Sequence, residues 1–113
     1  MTGPQLADPE QGGDPAFLDE VVTLFLEDTP GHLAALHTAV IERQGAAIAT
    51  VAHSLKSSSA YVGARRVRAL CEQLETAGRD GQLDETPSLF AALEAAVEQA
   101  CAALQQERQR WAA

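Results

Sequence analysis

Ala46-Ala47-Ile48-Ala49-Thr50-Val51-Ala52-His53-Ser54-Leu55-Lys56-Ser57-Ser58-Ser59-Ala60-Tyr61-Val62-Gly63 is the stretch that decides the fold. Ile48, Val51, Leu55 and Val62 recur at three- and four-residue spacing, the period of one helix face. Ser58 and Ser59 fall on the same side, and Gly63 ends the run. With Leu55 turned inward, His53 lies about 160° away at about 100° per residue and faces solvent. Ala46, Ala49, Ser57 and Ala60 share that outward side. A solvated helix face ordinarily carries Glu, Lys, Arg or Gln. This one is stripped to small uncharged side chains around a single imidazole, so the ring stays open to an approaching surface.

The same spacing repeats on both sides of this helix. Asp14-Pro15 pairs a capping residue with a proline at the first helical position. Phe17, Leu18, Val21, Val22, Phe25 and Leu26 follow as an apolar face. Thr29-Pro30 repeats the cap-then-proline signal, which predicts a stop near Asp28 and a second helix carrying Leu33, Leu36, Val40 and Ile41 up to Gly45. The third predicted helix spans about Ala46 to Val62. The fourth carries Val67, Leu70, Cys71 and Leu74 and stops before the Gly78 to Gly81 turn. The fifth starts at Thr86-Pro87 and carries Leu89, Phe90, Leu93, Val97, Ala100 and Leu104, with Trp111 near its end. Short connections make successive helices antiparallel. The expected fold is all-α, an antiparallel four-helix bundle with an additional N-terminal helix. Residues 14–113 form it, and residues 1–13, with Gly3, Pro4, Pro9, Gly12 and Gly13, are read as a flexible tail.

Composition agrees. Of 113 residues, 46% are hydrophobic and only 4% aromatic, and alanine supplies much of the apolar share. Alanine favours helix and close helix approach. The net charge of −8 argues against nucleic-acid binding, which needs a basic footprint, and against anionic membrane surfaces. No apolar run approaches the roughly 18 residues of a membrane span, and no signal-peptide layout opens the chain. A cytoplasmic monomer is the expectation. Cys71 and Cys101 lie within helical apolar patterns and read as buried free thiols.

The histidine run resembles the histidine-containing phosphotransfer (HPt) family. The pattern is His53, any residue, Leu55, Lys56, a small residue at Ser57, further small residues, an apolar residue, and Gly63 ten positions after the histidine. The order of helices and the Thr29-Pro30-Gly31 break are also similar, so the resemblance covers roughly Pro15 to Leu104. It implies that His53 takes a phosphoryl group from a receiver-domain aspartate and passes it to another receiver, without ATP binding or kinase activity. It implies receiver domains of response regulators, or a hybrid histidine kinase, as partners. No cofactor or metal is implied on this chain, because Mg²⁺ would come with the receiver.

Carried over residue by residue, Lys56 is the electrostatic helper, one turn from His53 at i+3. Its ammonium suits charge-assisted hydrogen bonds to a phosphoryl group. Ser57, where glycine is commoner, keeps access open and offers a hydroxyl. Gly63 is the close-packing position. Ala49, Ala60, Arg65 and Arg66 are candidate docking residues. Lys56, Arg65, Arg66 and Arg68 place half of the chain's 8 basic residues near the histidine, which suits a partner with an acidic pocket. Glu75 falls where some members carry a glutamine near the histidine, and no role follows for the fourth predicted helix.

Plainer readings compete with these. His32 and His37, five apart, do not share a face as metal ligands at i and i+4 would, and His37 sits near the apolar stripe. The serine run lacks a second histidine or acid for nucleophilic catalysis. Phe17, Leu18, Phe25 and Leu26 either pack on the bundle or flank His53 as a landing strip. Three functions stay open: a phosphotransfer module, a receiver-binding adaptor, and an unrelated oligomerising bundle.

Overall fold

The computed structural model describes residues 15–112, with side chains described for 16–110. The expected tail, the Asp14 cap and the surroundings of Trp111 lie outside these residues. Among the described residues there are four helices: α1 (Pro15–Ile41), α2 (Gly45–Tyr61), α3 (Arg65–Asp80) and α4 (Thr86–Ala112). Each packs on its chain neighbour, and α1 also packs on α4, closing the bundle. Its core is made by Phe25, Leu36, Val40, Ile48, Leu55, Val67, Leu74, Phe90 and Leu93 with smaller residues between them.

The additional N-terminal helix is not a separate element. The two segments expected on either side of Thr29-Pro30 are one 27-residue helix with Pro30 inside it. Proline removes one N–H and crowds the carbonyl four residues back, which normally ends a helix. Here the inward stripe keeps phase through the proline: Val22, Phe25, Thr29, Leu36 and Val40 are all buried. The Pro30 ring stands exposed. Thr29, expected as a cap, is instead buried and donates its hydroxyl back to the Phe25 carbonyl at 2.6 Å. Continuous tertiary burial thus outweighs a local stop signal.

This merger sets the shape. α1 and α4 each have 27 residues, against 17 in α2 and 16 in α3. At 1.5 Å per residue the long pair outreaches the short pair by roughly 15 Å. The overhang joins the start of α1 to the end of α4, where Arg108 Nε donates to Asp19 Oδ1 at 2.9 Å. One wall of α1 therefore continues past the end of α2 at Tyr61.

Two glycine roles differ from expectation. Gly63 is not a close-packing position, because a Cβ there would meet nothing within 4 Å. Its φ of +73° is what demands glycine. It turns the chain so that the Ala64 N–H reaches the Ser59 carbonyl at 3.0 Å, closing the end of α2. Close packing belongs to Gly45 and Gly78, where α2 and α3 cross. Gly78, expected in a turn, lies inside α3. A Cβ on it would sit 2.6 Å from the Gly45 carbonyl oxygen and 2.9 Å from the Ala49 nitrogen.

Gly78→Ala is expected to lose about 1–3 kcal/mol of stability, because rigid backbone must move apart. Gly31→Ala, at a helical site in α1 with open space around it, is expected to gain up to about 1 kcal/mol. Urea unfolding of both variants checks the pair. Equal effects would mean that the helix crossing is not tightly packed.

Candidate functional site

α2 sorts its residues as the sequence spacing requires. Ile48, Ala52, Leu55 and Ser59 are buried, and Ala46, His53, Ser57 and Ala60 are exposed. Ala49 is half-buried instead of outward, because it lies at the Gly45–Gly78 crossing. Ser59 and Ser58 bond back to the Lys56 and Leu55 carbonyls at 2.9 and 3.1 Å, so their hydroxyls are occupied within the helix. Ser57 has no such bond.

The His53 side chain is 60% exposed, but one edge of the ring is held. Its Nδ1 lies 2.9 Å from Oε2 of Glu75 on α3. Lys56 Nζ lies 2.8 Å from the other oxygen, Oε1. Arg79, one turn further along α3, donates to Oε2. Glu75 is thus a buried carboxylate with three donors, two of them from the neighbouring helix. Lys56 above all, and His53 after it, hold its pKa below the ordinary 4.5, although burial pulls the other way. An ionised carboxylate only accepts hydrogen bonds. Nδ1 is therefore the donor in this bond, and in the neutral ring the lone pair is on Nε2.

Glu75 is the residue for which the sequence pattern assigns no role. A signal is present all the same: Glu75 is four residues from Cys71 and three from Gly78, both buried, so it borders the inward stripe of α3. An acid beside such a stripe needs a partner. The Cys71 thiol lies close enough to feel both Lys56 and Glu75, and burial pushes its pKa up to about 12, which makes it an inert core group. Cys101 is half-buried.

On the other side of His53, α1 and α2 enclose a depression of about 560 Å³. Phe17, Val21, Leu24, Phe25 and Asp28 line it from α1, and Ser54, Ser57, Ser58 and Tyr61 from α2. The apolar strip of the first segment is therefore divided. Phe25 is core, whereas Phe17 is 60% exposed and opens onto this depression. Leu24 and Tyr61 are also exposed, at 53% and 80%, and nothing in the spacing marks either as a surface residue.

Known proteins give the same reading of the fold. The Hpt domain family model matches residues 20–107. The chain belongs to the Hpt domain family. The crystal structure of histidine-containing phosphotransfer protein B (HptB) from Pseudomonas aeruginosa PAO1 is similar with a TM-score of 0.75 and 31% identity, over 96% of this chain and 98% of that one. Histidine-containing phosphotransfer protein 2 of Oryza sativa subsp. japonica is 36% identical over 78 residues, 66% of this chain and 52% of that protein. The chain thus spans about half the length of that curated relative.

The remaining sequence candidates separate. Arg65, Arg66 and Arg68 are exposed at the start of α3 and form no ion pair among the described residues. His37 stacks on Phe90 with ring centroids 5.1 Å apart. Among the described residues no group of His, Cys, Asp and Glu could hold a metal ion, and no helix is long and apolar enough to cross a membrane.

The Glu75 geometry has a pH consequence. The carboxylate titrates lower in the folded than in the unfolded chain, so its contribution to stability is complete above the ordinary carboxylate range. That contribution fades as pH falls through the lowered folded value. Glu75→Gln is expected to flatten the acid limb of a stability–pH curve. Lys56→Ala is expected to cost about 1–3 kcal/mol at pH 7, since it strips a counter-charge from a buried carboxylate. Imidazole ¹⁵N shifts should show Nδ1–H at His53 in the wild type and a tautomer mixture in Glu75→Ala. An unchanged tautomer would remove Glu75 from the site.

Proposed function

We propose that the chain is a phosphoryl carrier of a two-component phosphorelay, loaded and unloaded at Nε2 of His53 by receiver-domain aspartates. The observation that carries this reading is the divided imidazole: Nδ1 tied to Glu75, and Nε2, without a hydrogen bond among the described residues, on a side chain that is 60% exposed.

The chemistry follows from that division. In loading, the Nε2 lone pair attacks phosphorus of an aspartyl phosphate in line. The N–P bond forms as the P–O bond to the carboxylate breaks, and the carboxylate leaves with the electron pair. The ring becomes a phosphoimidazolium with its proton still on Nδ1, and the Glu75 carboxylate faces the new positive charge. Unloading is the reverse with a second aspartate, and the leaving imidazole departs neutral. No proton moves in either direction. Transfer of this kind depends on position and charge rather than on covalent help. Mg²⁺ on the receiver would neutralise the phosphoryl oxygens, so the carrier contributes no metal, ATP site or kinase activity.

Lys56 has a double task on this reading. It offsets the charge of Glu75 and stands one turn from the ring, where its ammonium lowers the cost of bringing a dianion there. Ser57 leaves the approach clear and offers a hydroxyl to a phosphoryl oxygen. Ala60 extends the smooth face, Ala49 lets α2 lie close to α3 beneath it, and Gly63 turns the chain out of the way. The depression beside His53 supplies an apolar landing site. A monomer suits this reading, because a second copy seated there would cover the ring.

Incubation with a phosphorylated receiver domain and Mg²⁺ tests this. Acid-labile, base-stable phosphate should appear on the wild type and be absent from His53→Gln. Lys56→Ala should slow loading by about 10- to 100-fold, by analogy with the loss of one charged group at a phosphoryl-transfer site. Receiver binding without any labelling would turn the reading to a non-transferring adaptor. Absence of both, with a stable dimer by light scattering, would turn it to an oligomerising bundle.

A further inference from the structure

The charges of the chain are sorted by helix around the His53 face. Between Glu42 and Glu72 there is no Asp or Glu, while Arg43, Lys56, Arg65, Arg66 and Arg68 all fall there. α1 is the opposite case: it carries Asp19, Glu20, Glu27 and Asp28 and no Lys or Arg. A chain of net charge −8 thus sets an acidic helix and a basic helix start on either side of one histidine.

Helical register says which of these charges share the face. On α3, Glu75 marks the flank that meets His53. Arg68 is seven residues earlier, about 20° from it, and Arg79 is four later, about 40° away. Arg65 lies about 80° round, toward solvent. Arg66 lies about 180° round, on the flank away from His53. Glu72 lies about 60° round, between Arg79 and Arg65; it forms no ion pair among the described residues and opens onto the depression between α3 and α4 with Gln73 and Thr76. In the antiparallel pairing of α2 and α3, Arg68 stands level with Ala60, about two turns from His53. On α1, Asp28 lines the depression itself, and Glu20 and Glu27, four before and three after Leu24, follow its outer edge.

Arg65 and Arg68 are also costly where they are. They sit in the first turn of α3, at the positive end of its dipole, a turn that holds no acidic residue or side-chain cap, and Glu72, four residues after Arg68, is not ion-paired with it. Neither forms an ion pair among the described residues. A partner anion would relieve that repulsion.

We infer that Arg68 and Arg65 on one side, and Asp28 with Glu20 and Glu27 on the other, form a bipolar frame that fixes the orientation in which a receiver domain docks on His53. The partner face is acidic where it meets the start of α3, basic where it meets α1, and apolar between, over Leu24 and Tyr61. Arg66 takes no part. This rests on the phosphotransfer reading for the identity of the partner, and it goes beyond that reading in assigning the orientation.

The test uses isolated receiver domains with Mg²⁺, choosing the one that wild type binds tightest. Binding is measured in the His53→Gln background, so that docking is read without chemistry, at 50 and 500 mM salt. The paired reversal Arg65→Glu/Arg68→Glu is expected to weaken binding by about tenfold at low salt, chiefly through slower association. Asp28→Lys is expected to act in the same direction. Arg66→Glu, an equal change of net charge per residue, should stay within about twofold. The differences should shrink at high salt, where screening is nearly complete beyond a few ångströms.

Equal loss from Arg66→Glu would reduce the effect to net charge and overturn the frame. Unchanged binding in the paired reversal would overturn it too. Phosphoryl transfer through His53 with charge-independent docking would sink the frame and leave the carrier reading intact. Charge-dependent docking on a wild type that never loads would do the reverse. Failure of wild type to bind any receiver would overturn both.

Discussion

A carboxylate held between two helices organises this molecule. Glu75 is buried on α3, and it persists there ionised because His53 and Lys56 reach it from α2 while Arg79 reaches it from its own helix. A lone carboxylate in that position would be driven to protonate. Three donors reverse the sign, and each donor is fixed by the bond it makes. The imidazole, though largely open to solvent, is thereby held at Nδ1. Exposure and preorganisation normally oppose each other at a protein surface. Here the buried end of the hydrogen bond supplies the order and the exposed end supplies the access.

That arrangement depends on how closely α2 and α3 approach. The hydrogen bond from His53 and the ion pair from Lys56 span the gap between two helix axes, and both are short. Gly45 and Gly78 set that gap, since a Cβ at Gly78 would collide with backbone of α2. The half-buried Ala49 lies at the same crossing. Small residues on α2 thus serve two ends. On the outward side they clear the way to the ring, and on the α3 side they let the carboxylate reach it.

Much of this is legible in the chain. The three- and four-residue spacing of Ile48, Leu55 and their counterparts specifies the helices. The small-residue face singles out His53 by helical spacing alone. Local signals mislead where tertiary burial overrides them. Thr29-Pro30 has the grammar of a helix boundary, but the inward stripe from Val22 to Val40 never loses phase, and that longer-range pattern wins. Gly78 looks like a turn residue because glycine usually marks one, whereas its missing side chain serves a crossing that one helix's pattern does not disclose. Gly63 is the right residue for a different reason, a left-handed φ instead of tight packing. Glu75 is hidden for the deepest reason. Its partners are 22 and 19 positions away, and only the register between α2 and α3 brings them together. The groove residues Leu24 and Tyr61 are likewise unreadable, since exposure of an apolar side chain depends on where neighbouring helices end.

The overhang of α1 beyond α2 links these features to binding. Had α1 been broken at Pro30, its first half could have folded over the end of the bundle and covered Leu24 and Tyr61. As one helix it runs past the end of α2, and its apolar edge beyond that point has α4 on one side only. Phe17, Leu24 and Tyr61 are left uncovered beside the ring as a patch of a few side chains. A patch of that size is too small to hold a partner permanently, since stable interfaces bury about 800 Å² per side. It is enough to seat one briefly when charges steer the approach. On the proposed reading a carrier must release each partner before meeting the next, and a weak apolar contact flanked by exposed charges would fit that task better than a large one. The proline retained inside α1 is thus tied, through helix length, to the surface on which the proposed exchange takes place.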